Sequence, residues 1–105
     1  MNLGPITEVT LNGGAPVTRN TQVDVTWKNE FQSPLCKTLK VIFCDDQGNP
    51  QLILATGVEN RNRDSGSVRV LMPSYNLPAQ KWKVRVSSER EEDLYADSEP
   101  FKLLP

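Results

Sequence analysis

The chain has 105 residues, enough for one domain (1–105) that buries roughly two-thirds of its unfolded surface and folds without staples. Twelve Lys+Arg against thirteen Asp+Glu leave a net charge of −1, which argues against a dedicated nucleic-acid binder. No apolar run approaches the ~18–20 residues of a membrane span, so no membrane insertion is expected, and Met1–Ile6 lacks signal-peptide character.

Ile6–Leu11 is a β-prone run that stops at the turn signal Asn12-Gly13-Gly14. Pro16 has no N–H to donate and reads as loop or edge. Gln22–Lys28 alternates Val23, Val25 and Trp27 with Asp24, Thr26 and Lys28, the period of a strand with one buried face. Asn29–Pro34 breaks that pattern as a loop. Lys37–Cys44 offers Leu39, Val41 and Phe43 to a core and carries Thr38, Lys40, Ile42 and Cys44 behind. The loop from Asp45 to Pro50 contains Gly48 and leads into a shorter strand, Gln51–Thr56. Gly57–Gly66 has mixed charge and no apolar anchor after Val58, and is expected to be an exposed loop.

Alternation returns in Ser67–Met72, with Val68, Val70 and Met72 inward, and Pro73–Ala79 is a turn region. Gln80–Ser87 is the clearest strand of all. It puts Trp82, Val84 and Val86 on one face and Lys81, Lys83 and Arg85 on the other, a spacing of β-branched residues that suits a helix badly. Ser88–Asp93 is a charged tip, and Glu99–Leu104 closes the chain with Phe101 and Leu103 on one side of Lys102.

About seven strands with turns every 8–12 residues predict an all-β, two-sheet antiparallel immunoglobulin-like β-sandwich, with a small barrel as the alternative. Cys36 and Cys44 flank the Lys37–Phe43 strand, which sets them roughly 26 Å apart at ~3.3 Å per residue, far beyond disulfide reach. Two free thiols, with no Asn-x-Ser/Thr sequon, point to a reducing compartment and a cytoplasmic location.

The ordered motifs resemble a known family. They begin with Val25-Thr26-Trp27 after a Gly-x-Pro-Val-x-x-Asn-Thr approach. Ile53 through Asn60, then Ser65-Gly66-Ser67-Val68 and Met72-Pro73-Ser74, follow in order. Trp82 through Ser87 and Tyr95 through Phe101 complete them. From about Gly13 to Leu103 this order is similar to the immunoglobulin-like domain of Ser/Thr-rich GPI-anchored fungal cell-wall proteins, including the yeast β-glucan assembly type. The resemblance implies a non-catalytic sandwich module at a cell surface. It brings no catalytic residue onto this chain.

Chemistry is sparsely supported. Without histidine, Ser/His/Asp and Cys/His sites are excluded, and two isolated cysteines make no metal site; no cofactor or metal is expected. The carboxylates of Asp45/Asp46 and Glu89–Asp93 sit in polar turns rather than in the buried setting that acid–base work needs. A surface is the better candidate. If the strands at Lys37–Cys44, Gln80–Ser87 and Glu99–Leu104 share a sheet, its outer face clusters Lys40, Lys81, Lys83, Arg85 and Lys102 around Ile42. Such a face either meets an acidic protein or anionic polymer or is a solvated surface that keeps the domain soluble. Phe31, Tyr75 and Tyr95 are loop candidates for contact, whereas Trp27 and Trp82, in phase with valines, belong to the core. The reading is a non-enzymatic module for protein–protein contacts in a larger assembly, with polysaccharide or cell-wall polymer binding as the alternative.

Overall fold

Period-2 alternation dominates the chain, and strands follow from it. The computed structural model describes residues 4–74 and 77–105, so Tyr75 lies outside the described residues. Nine strands form: β1 (Ile6–Leu11), β2 (Val17–Thr18), β3 (Gln22–Asn29), β4 (Thr38–Asp45), β5 (Pro50–Glu59), β6 (Ser65–Leu71), β7 (Lys81–Ser88), β8 (Tyr95–Asp97) and β9 (Phe101–Leu104). No α-helix occurs among the described residues; Asn12–Gly14 and Pro34–Cys36 are single 3-10 turns.

The strands make two sheets packed as a sandwich. The smaller is ordered β1-β3-β6, and the larger β2-β9-β7-β4-β5, with β8 also paired to β7. Pairing is antiparallel except for β2, which runs parallel to β9. The core between the sheets holds Val23, Val25 and Trp27 from β3, Leu39, Val41 and Phe43 from β4, and Trp82, Val84 and Val86 from β7. Both indoles are closed to solvent, Trp27 at 2% and Trp82 at 3% exposure. Trp82 stacks on Phe43 with centroids 4.9 Å apart, and Phe101 meets Phe43 edge-on at 6.2 Å. Each such aromatic pair adds about 0.5–1.5 kcal/mol beyond burial alone.

Three departures from the sequence reading have physical causes. First, β5 is longer than predicted and consumes part of the expected 57–66 loop. Gly57, at φ 63°, absorbs a register shift opposite β4, so the strand resumes at Val58. Second, β8 is a strand that the sequence reading does not predict, and it precedes the expected closing strand. Ser98 donates its N–H to the Val84 carbonyl (2.8 Å), and its Oγ accepts from the Val84 N–H (3.0 Å). Between the β8 and β9 pairings, a side chain thus replaces one rung of the ladder on β7. Third, Ile42 and Cys44 are buried although their register places them on the outer face. The turn after β4 and the Arg85 side chain close over that part of the face: the Arg85 guanidinium lies 3.0 Å from where a Cβ on Gly48 would stand.

The free edges are unequal. β5 carries no charge from Pro50 to Val58, yet its pairing to β4 shifts register at three places, which twists it away from strand addition. β1 is interrupted at Glu8, held at φ 53° between the Thr7 and Thr10 pairings.

Gly66 sets the fit of the smaller sheet. It faces Trp27 across the β3–β6 pair, and a Cβ there would lie 2.3 Å from the indole Cζ2. Gly66→Ala therefore lowers unfolding stability by roughly 2–3 kcal/mol, read from the denaturant midpoint. An unchanged midpoint would show that Trp27 does not fill this space.

Candidate functional site

Because Trp82, Val84 and Val86 face inward, β7 must present Lys81, Lys83 and Arg85 on its other side. The register then assigns their neighbours. Arg85 lies opposite Ile42 on β4 and Asp97 on β8, Lys83 opposite Cys44, and Lys81 opposite Lys102 on β9. Lys40 lies opposite Ser87, which in turn faces Tyr95. The five predicted cations do share this sheet face, and they separate into two electrostatic groups.

The first group is internally neutralised. Arg85 donates through Nε to Asp97 Oδ1 at 2.7 Å and through Nη2 to Oδ2 at 3.1 Å, a two-pronged pair with side chains only 17% and 21% exposed. Its guanidinium also sits 4.0 Å above the Tyr95 ring. The Asp97 hydrogen bond pushes the Arg85 pKa above its ordinary value. Lys40 donates to Glu92 Oε1 at 3.1 Å, which brings the predicted acidic tip down onto the face. Arg85 and Lys40 therefore hold the fold together instead of offering free charge. Tyr95 likewise belongs to a strand and lies half-buried under Arg85, which corrects its reading as a loop contact.

The second group is Lys81, Lys83 and Lys102. Among the described residues none of the three forms an ion pair. Lys81 and Lys102 are exposed and directly opposite across an antiparallel pair, where like charges repel. Beside them opens a groove of about 580 Å³ whose lining includes Leu77, Trp82, Leu103 and Leu104. Leu77 and Leu103 pack on the core and form its apolar floor.

A second groove, of about 730 Å³, lies at the opposite end of β7, beside the β3–β4 turn. Its base is a pair of asparagines that the sequence reading missed. Asn60 Nδ2 donates to Asn29 Oδ1 (2.9 Å) and to the Cys36 carbonyl (3.0 Å). Asn60 Oδ1 accepts from Asn29 Nδ2 (2.9 Å) and from Trp27 Nε1 (3.1 Å). The signal was present: Asn29 falls in the inward phase of Val23, Val25 and Trp27, where a polar residue needs a partner. Phe31 stands on the rim at 54% exposure, with Gln32 and Asn62 among its neighbours on the lining.

Apart from Glu92, the carboxylates of the tip and of Asp45 accept backbone N–H groups or lie in turns ordered by such bonds. Ser88 Oγ accepts the N–H groups of Arg90 (3.1 Å) and Glu91 (3.0 Å) and donates to the Leu35 carbonyl, which orders the 89–93 tip. Asp45 Oδ1 accepts from the N–H groups of Gln47 (2.9 Å) and Asn49 (2.8 Å). These bonds hold its carboxyl below the ordinary 3.8, the wrong direction for a general acid. Burial pushes the thiols of Cys36 and Cys44 up, away from the nucleophilic thiolate. No group of three or more metal-ligating side chains occurs among the described residues. No family model, curated protein or solved structure matches this chain.

Two outcomes follow from this electrostatic division. Arg85→Met leaves Asp97 half-buried without its partner and costs roughly 1–3 kcal/mol of stability, measured by chemical denaturation. For Asp45, the folded-state value lies below the unfolded one, so its contribution is present above about pH 4 and is lost as pH falls through the folded value. The stability difference between the wild type and Asp45→Asn therefore shrinks on acidification below pH 4. A difference that stays constant down to pH 2 contradicts the turn's role.

Proposed function

We propose that the chain is a non-enzymatic, immunoglobulin-like module that makes protein–protein contacts through the basic end of its larger sheet. The strand order supports the family of folds. On this reading β1, β3 and β6 take the part of one immunoglobulin sheet and β9, β7, β4 and β5 that of the other. The observation that carries the functional reading is the Lys81–Lys102 juxtaposition. A repulsive cross-strand pair weakens the isolated fold, and this chain leaves it unbalanced while giving Arg85 and Lys40, on the same face, acidic partners. An anionic partner protein supplies the missing charge.

Lys102→Glu tests this with two readouts. It turns the repulsive pair into an attractive one, so the unfolding temperature rises by up to a few degrees. It also removes those partners whose capture by the wild type falls as salt is raised. A lower unfolding temperature, or an identical set of captured proteins, contradicts the reading.

One observation favours a second reading, carbohydrate or cell-wall polymer binding. Phe31 is an exposed aromatic beside amide side chains, the composition that stacks on and hydrogen-bonds to sugar rings. Titration with a soluble β-glucan, compared between the wild type and Phe31→Ala, decides it: saturable binding lost in the variant supports the second reading, and no binding removes it.

A further inference from the structure

We infer that the groove beside Lys81 and Lys102 receives an acidic, extended segment of the partner protein that carries one apolar side chain into the groove. This rests on the interaction reading above and specifies its partner. Two features act together. The rim is cationic: Lys81 and Lys102 line it and form no ion pair among the described residues, Arg19 also lines it, and Lys83 stands two residues further along the face. The floor is apolar, made by Leu77 and Leu103 against the edge of Trp82, with Leu104 40% exposed at its margin. A volume of about 580 Å³ is in the range of pockets that enclose a side chain and its flanking backbone.

Charge complementarity selects the occupant's flanks, and the apolar floor selects its centre. A purely anionic polymer would leave Leu77 and Leu103 uncovered. A purely apolar segment would bury lysine charge without compensation. Three lysines and Arg19 also fall short of the roughly six to ten phosphate contacts of a duplex-binding surface.

The test uses the whole chain and synthetic peptides of Asp and Glu residues flanking a single Leu. The controls are the same peptide with that Leu replaced by Ala, and a heparin oligosaccharide. Affinity comes from titration, and the site from amide chemical shifts. The Leu peptide is expected to bind roughly tenfold tighter than its Ala counterpart, the ratio set by burying one such side chain. Shifts concentrate at Leu77, Lys81, Lys102 and Leu103. Lys81→Gln/Lys102→Gln, which keeps the size of the side chains, weakens binding roughly tenfold, and Leu77→Ser abolishes the preference for the Leu peptide. Binding of the Ala peptide or of heparin as tightly as the Leu peptide overturns the proposal, because charge alone would then suffice. So does an absence of shifts at the groove. Either result leaves the broader interaction reading to the separate stability and capture behaviour of Lys102→Glu.

Discussion

The stacking of Trp82 on Phe43 is the contact on which the rest of this structure depends. It joins β7 to β4 at the centre of the larger sheet and gives the smaller sheet a surface to pack on. A strand cannot bury one face without committing the other. Once Trp82, Val84 and Val86 turn inward, three cations must stand outward in a row, each either paired with an acid of the chain or left to solvent. A shift of one residue in β7 would bury the lysines and expose the indole, so the register is strongly specified.

Paired and unpaired cations stand on the same face. Toward one end, β8 and the 89–93 tip bring Asp97 and Glu92 onto Arg85 and Lys40, and the Tyr95 ring lies beneath the guanidinium. Toward the other end, β9 brings a further lysine against Lys81. The separation point is Ser98, whose side chain takes the place of a backbone rung and lets the chain leave β7 and rejoin it. One local irregularity thus separates the cations that are ion-paired within the chain from those that are not. The polar side chains obey the same logic at the far end of the sandwich. There Asn60 satisfies Trp27 Nε1 and Asn29 together, so a tryptophan can be fully packed without an orphaned donor.

Much of this was legible in residue order, for a definite reason. Alternation over six or more residues fixes both the presence of a strand and the facing of its side chains, so β3, β4 and β7 and their inward residues are readable without coordinates. Pairing is a different matter. That Arg85 meets Asp97, or Lys40 meets Glu92, depends on register across loops, and nothing in either sequence neighbourhood announces it. β2 and β8 are too short to show a period. β5 was underestimated because its register shifts scramble the alternation that would have marked it. Gly57 and Gly66 both read as loop residues, yet one permits a bulge within a strand and the other makes room for an indole. Asn29 is harder to read because the apolar phase of β3 ends at Trp27, and a polar residue in the inward register carries no hydrophobic signal.

The two-faced character of β7 can be examined directly by native-state amide hydrogen exchange. A strand hydrogen-bonded on both sides, with its inner side chains in the core, opens only when the whole domain unfolds. The account predicts that amides of residues 82–88 exchange most slowly, at a rate that tracks global stability, while those of 50–56 at the sheet edge exchange faster through local opening. Exchange in residues 82–88 as rapid as at that edge would contradict it, because β7 would then not be the strand around which the sandwich is built.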